Sequence, residues 1–250
     1  MRGTDMAGLA LFAAVLAAGP ALPQIQPMGG AAMHAVHQPY SVETFGAFRN
    51  LMMSGDFSAK VALADVMAKH PTLGVGALAG ALGEITIFDG KLIVSYGYAP
   101  PADTSSASAA LLVTASVDGW QSVPVASDVA PEDIESFISV AAKNHGIDPT
   151  VSFPFEVRGN IGPYVMHVNA APTNGEHGMG LPMAVTVAGK GDRLDGLVAG
   201  LYASLDLMGI ATHGGERTHA HWVSLDMAKT AHLDHWGLKT GAFLLLPKRP

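Results

Sequence analysis

The sequence contains no cysteine and few charged residues, and each absence removes a class of function. Without cysteine, the chain has no disulfide framework, no thiolate nucleophile and no cysteine-based metal site. Charged residues make up 14% of the 250 residues and the net charge is −7, which disfavours nucleic acid as a partner. The phosphate-binding motifs GxGxxG and GxxxxGK[ST] and the GxSxG motif of serine hydrolases are also absent.

The chain also lacks an apolar run long enough for a comfortable membrane span. The longest run extends from Met6 to Leu22 and is broken by Pro20, whereas a spanning helix needs about 20 apolar residues. A basic residue, Arg2, followed by a short apolar segment and small residues is typical of a secretory signal peptide. We therefore expect residues 1–21 to be a signal peptide and the mature protein to be exported, to the periplasm or the medium. A buried N-terminal helix is the alternative.

What is present indicates a globular protein of the α+β class. Hydrophobic residues make up 49% of the chain, enough for a sizeable core. After a flexible leader at 22–40, we expect an N-terminal α+β part at 41–126 and a C-terminal α+β part at 127–250. Two short helices are predicted at the start of the first part, one capped by Ser41 and the other ended by Pro71.

Several strands separated by turn residues are predicted after these helices. Asp89-Gly90 is a strong hairpin signal, and pairing outward from it puts Ile85 on an aliphatic face and Glu84 on the opposite, polar face. Asp118-Gly119 is a second predicted turn, and Pro131 starts a helix. Mixed or antiparallel sheets with a few short helices are therefore expected. The further predicted strands are 110–117, 120–126, 151–158, 164–168, 183–187 and 197–202.

Three histidines near the end of the chain have the spacing of a metal-binding hairpin. His219 and His221 share a face if they lie in a strand. A turn near Asp226 and Met227 places His221 opposite His232, so that all three rings point the same way. Three neutral imidazoles that leave the fourth coordination position of a zinc ion open are typical of a catalytic zinc site. A histidine-rich edge strand that binds nothing would show the same pattern.

These elements, in this order, resemble the alpha-acetolactate decarboxylase family over roughly residues 40–248. The most specific match is the run from His219 to Asp226, with His232 eleven positions after His221, which keeps the family's HxH-aromatic-x-S-x-D pattern. This match strengthens the prediction of a metal site. Further matches are Gly83-Glu84 before the hairpin, the arginine-bearing strand Phe155 to Arg158, and the strand Gly196 to Tyr202.

The resemblance implies a lyase that converts 2-acetolactate to acetoin and carbon dioxide, with Zn²⁺ or another divalent metal held by His219, His221 and His232. It further implies that Glu84 acts as acid, base or extra metal contact, and that Arg158 orients the substrate carboxylate. Without the resemblance, Glu84 would be a solvated strand-edge carboxylate and Arg158 a surface ion-pair partner. The expected partner is a small hydroxy-keto acid, and a homodimer is one possible assembly.

The chain departs from the family in the residues around the metal. Ala77 stands where the family usually has threonine, and His167-Val168-Asn169 where it has a further arginine. We also expect no counterpart of its C-terminal site glutamate after His232. His167 is a candidate for part of the missing role, although a single strand histidine is more often structural. His213, outside the motif, is expected to take no part in metal binding.

These departures leave two rival interpretations open. One is a non-catalytic metal-binding module similar to the PPC (DUF296) domain of some DNA-associated proteins, against which the acidic charge and the signal peptide count. The other is a related metal-dependent lyase or hydrolase for a different small keto acid, because the replaced residues are those that select the substrate.

Overall fold

The computed structural model describes residues 39–170 and 184–248, with the backbone alone for 184–188. The predicted signal peptide lies outside these residues. Most of the leader predicted for 22–40 also lies outside them, and the first strand begins at Tyr40. Within the described ranges, no helix is both long and apolar enough to cross a membrane.

The N-terminal part forms an antiparallel sheet of six strands. They are β1 (Tyr40–Phe45), β2 (Val61–Ala62), β3 (Leu73–Leu78), β4 (Gly83–Phe88), β5 (Lys91–Tyr96) and β6 (Ser108–Val117). Their order is β1-β6-β3-β4-β5, with β2 also beside β6. The hairpin predicted between β4 and β5 is confirmed, with Ile85 opposite Val94. Its turn residues Asp89 and Gly90 have φ of 48° and 74°, as a tight hairpin turn requires.

The remaining strands form a second antiparallel sheet. They are β7 (Trp120–Pro124), β8 (Phe153–Ala170), β9 (Ala184–Gly191), β10 (Leu194–Tyr202), β11 (Thr218–Val223), β12 (Thr230–Leu238) and β13 (Phe243–Pro247). The strands predicted at 151–158 and 164–168 are one long strand, β8, whose Gly159 and Gly162 have φ of 120° and 143°. The first half of β8 pairs with β10 and the second half with β12. In addition, β10 pairs with β11 and β11 pairs with β12. The four strands β8, β10, β11 and β12 therefore form a closed ring.

The helices differ in part from those predicted. They are α1 (Phe48–Ser54), α2 (Leu63–Met67) and α3 (Ile134–Asn144). Ser41 does not cap a helix; it lies in β1 opposite Ser116, because the alternating segment around it pairs along its whole length with β6. The turn at Asp118-Gly119 also does not form a hairpin, since β6 and β7 belong to different sheets. The helix predicted at Pro131 is confirmed, as a 3-10 turn leading into α3.

The two sheets pack face to face, and this packing decides which side chains are buried. Phe88 of the first sheet shares one hydrophobic cluster with Ala199 and Val223 of the second. The opposite face of the first sheet, with Ile85, is covered by α2. The prediction that Glu84 lies on a polar face away from the core is therefore wrong: the alternation is as expected, but Glu84 is 1% exposed because the second sheet covers that face.

Candidate metal centre and active site

The hairpin of β11 and β12 has the predicted register. His221 lies opposite His232, Trp222 opposite Ala231 and Val223 opposite Thr230. The turn closes where expected, at Asp226 and Met227, and the hydroxyl of Ser224 donates to the Asp226 carboxylate at 2.6 Å. His219 precedes His221 by two strand positions and therefore points to the same face.

The three rings form a nearly equilateral cluster on the face that meets the first sheet. Ring centroids are 5.0 Å apart for His219 and His221, 5.2 Å for His219 and His232, and 5.3 Å for His221 and His232. One nitrogen of each ring lies within 4.8 Å of the other two. All three side chains are buried.

The electrostatics and spacing of this cluster suit a metal ion. Burial, followed by the neighbouring histidines, lowers the pKa of His219 to about 3 and the pKa values of His221 and His232 well below the usual value. The rings are therefore neutral and can offer lone pairs. Nitrogens held tetrahedrally by zinc are about 3.3 Å apart, and the Nε2 atoms of His219 and His221 are 3.2 Å apart. The residues present fit a three-histidine metal site.

Glu84 approaches this cluster from the first sheet. Its Oε2 lies 3.7 Å from His221 Nε2, and its Oε1 accepts a hydrogen bond of 3.0 Å from the backbone N–H of Asn169. Burial raises the pKa of Glu84 to about 7, and nearby His167 and the Asn169 amide partly oppose the rise. Near neutral pH, the carboxyl group can therefore either hold or release a proton, as an acid–base group must.

His167, the candidate for part of the role of the family's arginine, is the fourth histidine of this region. It lies opposite His232 in the pairing of β8 with β12, and the two ring centroids are 5.0 Å apart. Its Nδ1 is 2.8 Å from the Asp234 carboxylate, and its Nε2 is 4.0 Å from Glu84 Oε1. Burial lowers the pKa of His167, but the Asp234 hydrogen bond and the two carboxylates outweigh that effect and raise it.

His213 also belongs to this region, although sequence reasoning set it apart. It is not one of the three clustered histidines, but its ring lies 5.6 Å from that of His232 and 4.2 Å from that of Phe48. It sits in the irregular segment before β11, where no periodic pattern indicates which way a side chain points. Burial lowers its pKa.

A small cavity of about 170 Å³ opens beside these groups. Its size suits a small metabolite, since drug-sized ligands occupy about 300–1,000 Å³. One wall is apolar and comes from α1, β3 and β6; the other is polar and comes from the histidines, Glu84 and Asn169. The lining residues are Phe48, Leu51, Met52, Gly76, Ala77, Glu84, Leu111, His167, Asn169, His213, His219 and His232.

Arg158 is not among these lining residues. Its Nη2 lies 3.0 Å from Glu156 Oε2 and 3.2 Å from Asp89 Oδ2, so it joins β8 to the turn between β4 and β5. It occupies the first half of β8, while the second half carries His167 and Asn169 to the cavity. The structure therefore does not bring together Arg158 and the three histidines, as the resemblance implied, and shows the ion pair that the sequence left as the alternative.

Comparison with known proteins connects this architecture to one group of solved structures. No known sequence family matches the chain, and no curated protein matches it. An alpha-acetolactate decarboxylase from Bacillus subtilis strain 168 superposes with a TM-score of 0.64 at 16% identity, covering 83% of this chain and 85% of that one. This chain has the acetolactate decarboxylase fold.

Two further structures share the acetolactate decarboxylase fold with this chain. The acetolactate decarboxylase from Bacillus subtilis subspecies spizizenii has a TM-score of 0.60 at 14% identity, covering 83% and 86% of the two chains. A Staphylococcus aureus protein of unknown function, described as similar to alpha-acetolactate decarboxylase, has a TM-score of 0.62 at 14% identity, covering 82% and 84%. The likeness concerns the fold; the reaction depends on the residues of the site.

Proposed function

We propose that this protein is a metal-dependent carboxy-lyase that converts 2-acetolactate, or a closely related hydroxy-keto acid, to a hydroxy ketone and carbon dioxide. The observation that carries the proposal is the cluster of three neutral, buried histidines with Glu84 at 3.7 Å, beside a cavity of small-molecule size. The acetolactate decarboxylases among the structural neighbours make 2-acetolactate the first substrate to test.

His219, His221 and His232 would hold the metal through their ring nitrogens. A divalent ion such as Zn²⁺ bound there would act as a Lewis acid and stabilise negative charge on substrate oxygens. The metal-binding residues lie on one hairpin and are buried between two sheets, so the chain holds the ligands rigidly before the substrate arrives.

Glu84 and His167 are the residues of the chain that would act on the substrate itself. The carbon that loses carbon dioxide must gain a proton, and Glu84, with a pKa of about 7, can donate one near neutral pH. His167 faces the same space and is oriented by Asp234 at 2.8 Å, so it can hydrogen-bond the substrate carboxylate in the place where the family has arginine. The apolar wall around Phe48 and Leu111 keeps bulk water away from this step.

One experiment tests the metal and the reaction together. The purified protein should contain stoichiometric metal, form acetoin from racemic acetolactate faster than the buffer alone, lose this activity to a chelator and recover it with Zn²⁺. His221→Ala serves as the matched protein control. Stoichiometric metal without turnover, either of acetolactate or of other small keto acids followed by carbon dioxide release, would contradict the lyase and favour a metal-binding module.

We also propose that the protein is exported. The proposal rests on Arg2 and the apolar run from Met6 to Leu22, which have the arrangement of a secretory signal peptide. Cleavage would leave the mature chain beginning within a few residues of position 21.

A further inference from the structure

Two buried threonines, one from each sheet, lie behind the metal-binding face of His221. Thr86 is on β4 and Thr230 on β12, and they are 0% and 1% exposed. Thr86 Oγ1 lies 3.0 Å from His221 Nδ1 and 2.5 Å from Thr230 Oγ1. Thr230 Oγ1 lies 2.9 Å from the carbonyl oxygen of Trp222. The four groups form an unbroken chain of hydrogen bonds, and the backbone carbonyl of Ile85 is a further acceptor for the His221 ring.

The direction of each hydrogen bond in this chain follows from the last acceptor. A carbonyl oxygen can only accept, so Thr230 must donate its hydroxyl proton to Trp222. Thr230 Oγ1 can then only accept from Thr86, which uses the single proton of Thr86. Thr86 Oγ1 must therefore accept from His221, and the proton of the His221 ring must lie on Nδ1.

A similar constraint acts on His219. Its Nδ1 is 2.9 Å from the carbonyl oxygen of Ala211, so its proton also lies on Nδ1. The Nε2 atoms of His219 and His221 then face each other at 3.2 Å with a lone pair on each and no proton between them. Two lone pairs at this distance repel, and a cation that both can ligate removes the repulsion.

We propose that Thr86 and Thr230 are positioning residues of the metal centre, which hold His221 in the tautomer with its proton on Nδ1 and its lone pair on Nε2. This inference rests on the metal site of the proposed function and adds the residues that prepare it. Hydrogen bonds behind a metal-binding histidine fix its tautomer and ring orientation in this way. Because Thr86 belongs to the first sheet and His221 to the second, metal affinity depends on the packing of the two sheets.

Three variants of the hydroxyl chain test this inference. Thr86→Val removes the hydroxyl acceptor for His221 Nδ1 and should weaken Zn²⁺ binding about 10-fold, the lower end of the usual effect of losing such a partner, because the Ile85 carbonyl remains. Thr86→Ser keeps the hydroxyl and should restore affinity. Thr230→Val leaves Thr86 without its acceptor, so the Thr86 proton can turn toward His221 Nδ1 and favour the other tautomer. Thr114→Val, at another buried threonine of the first sheet, is the matched control.

Two measurements read the result without relying on turnover. Competition with a chromophoric chelator gives the Zn²⁺ affinity, and ¹⁵N shifts of the metal-free protein show which nitrogen of His221 carries the proton. We expect Nδ1–H in the wild type, in Thr86→Ser and in Thr114→Val, and a population of Nε2–H in Thr230→Val. Circular dichroism tests whether each variant is folded. If Thr86→Val does not fold, the comparison of Thr230→Val with Thr86→Ser tests the role of the hydroxyl chain.

Wild-type Zn²⁺ affinity in both Thr86→Val and Thr230→Val, or an unchanged His221 tautomer in Thr230→Val, would overturn the assignment. A wild-type protein that carries its proton on Nδ1 but binds no Zn²⁺ would overturn it too. Zn²⁺ binding that depends on Thr86, without decarboxylation of any keto acid, would leave the assignment standing and remove only the proposed activity.

Discussion

Replacing Glu84 with glutamine tests whether this buried carboxyl group contributes to the reaction at the expense of stability. Burial raises the pKa of Glu84 from 4.5 to about 7. Because the folded state keeps the proton at pH values where the unfolded chain has lost it, the free energy of unfolding falls as pH rises between these two values. The destabilisation is absent well below pH 4.5 and reaches its full size above about pH 7.

The size of this effect follows from the shift. A rise from 4.5 to about 7 corresponds to about 3 kcal/mol at full ionisation. Between pH 5 and pH 8 the change is about 2 to 3 kcal/mol, because the unfolded carboxyl is already partly ionised at pH 5. Glutamine does not titrate, and any cost of burying its amide is the same at both pH values. The stability of Glu84→Gln relative to wild type should therefore increase by this amount from pH 5 to pH 8.

Urea unfolding of the chelator-treated proteins at pH 5, 6, 7 and 8 measures this difference. In parallel, the zinc-loaded Glu84→Gln should keep its metal, since three histidines suffice to hold it, while its turnover falls on the order of 10² or more. A stability difference that does not change with pH would refute the burial argument. Nearly full turnover in the variant would refute a role in proton transfer, and His167 would then be the first alternative.

Three other predictions concern metal binding, the packing of the first sheet and the export of the protein. His221→Ala should sharply weaken Zn²⁺ binding in a chelator competition, whereas the exposed His235→Ala on the same hairpin should not; equal loss in both would remove the metal assignment. Gly76→Ala, whose Cβ would lie 2.1 Å from a backbone oxygen, should lower stability in urea by about 1–3 kcal/mol, whereas Gly119→Ala, with open space around it, should change it little. N-terminal sequencing after expression in a bacterial host should show a mature chain starting within 19–26; retained Met1 would contradict export.

The sequence alone was sufficient to predict two hairpins, one that gathers three histidines and one that carries Glu84, but not that the chain passes to the other sheet after Asp118-Gly119. His219, His221 and His232 lie on one hairpin, and both its register and the face of each ring follow from the two-residue period of a strand and the position of a turn. The hairpin that carries Glu84 is predictable for the same local reason. These contacts span few residues, so a short window of sequence contains all the information about them.

Only the tertiary structure decided what surrounds the three histidines. The second sheet buries Glu84 and raises its pKa, joins Thr86 to His221, and brings His167 opposite His232, although these partners are far apart in the sequence. Arg158 lies in the first half of β8 and pairs with Glu156, whereas the second half of the strand carries His167 and Asn169 to the cavity. Such contacts depend on how the two sheets pack. That packing is determined by the shape complementarity of side chains from many strands, so no short segment of sequence predicts it.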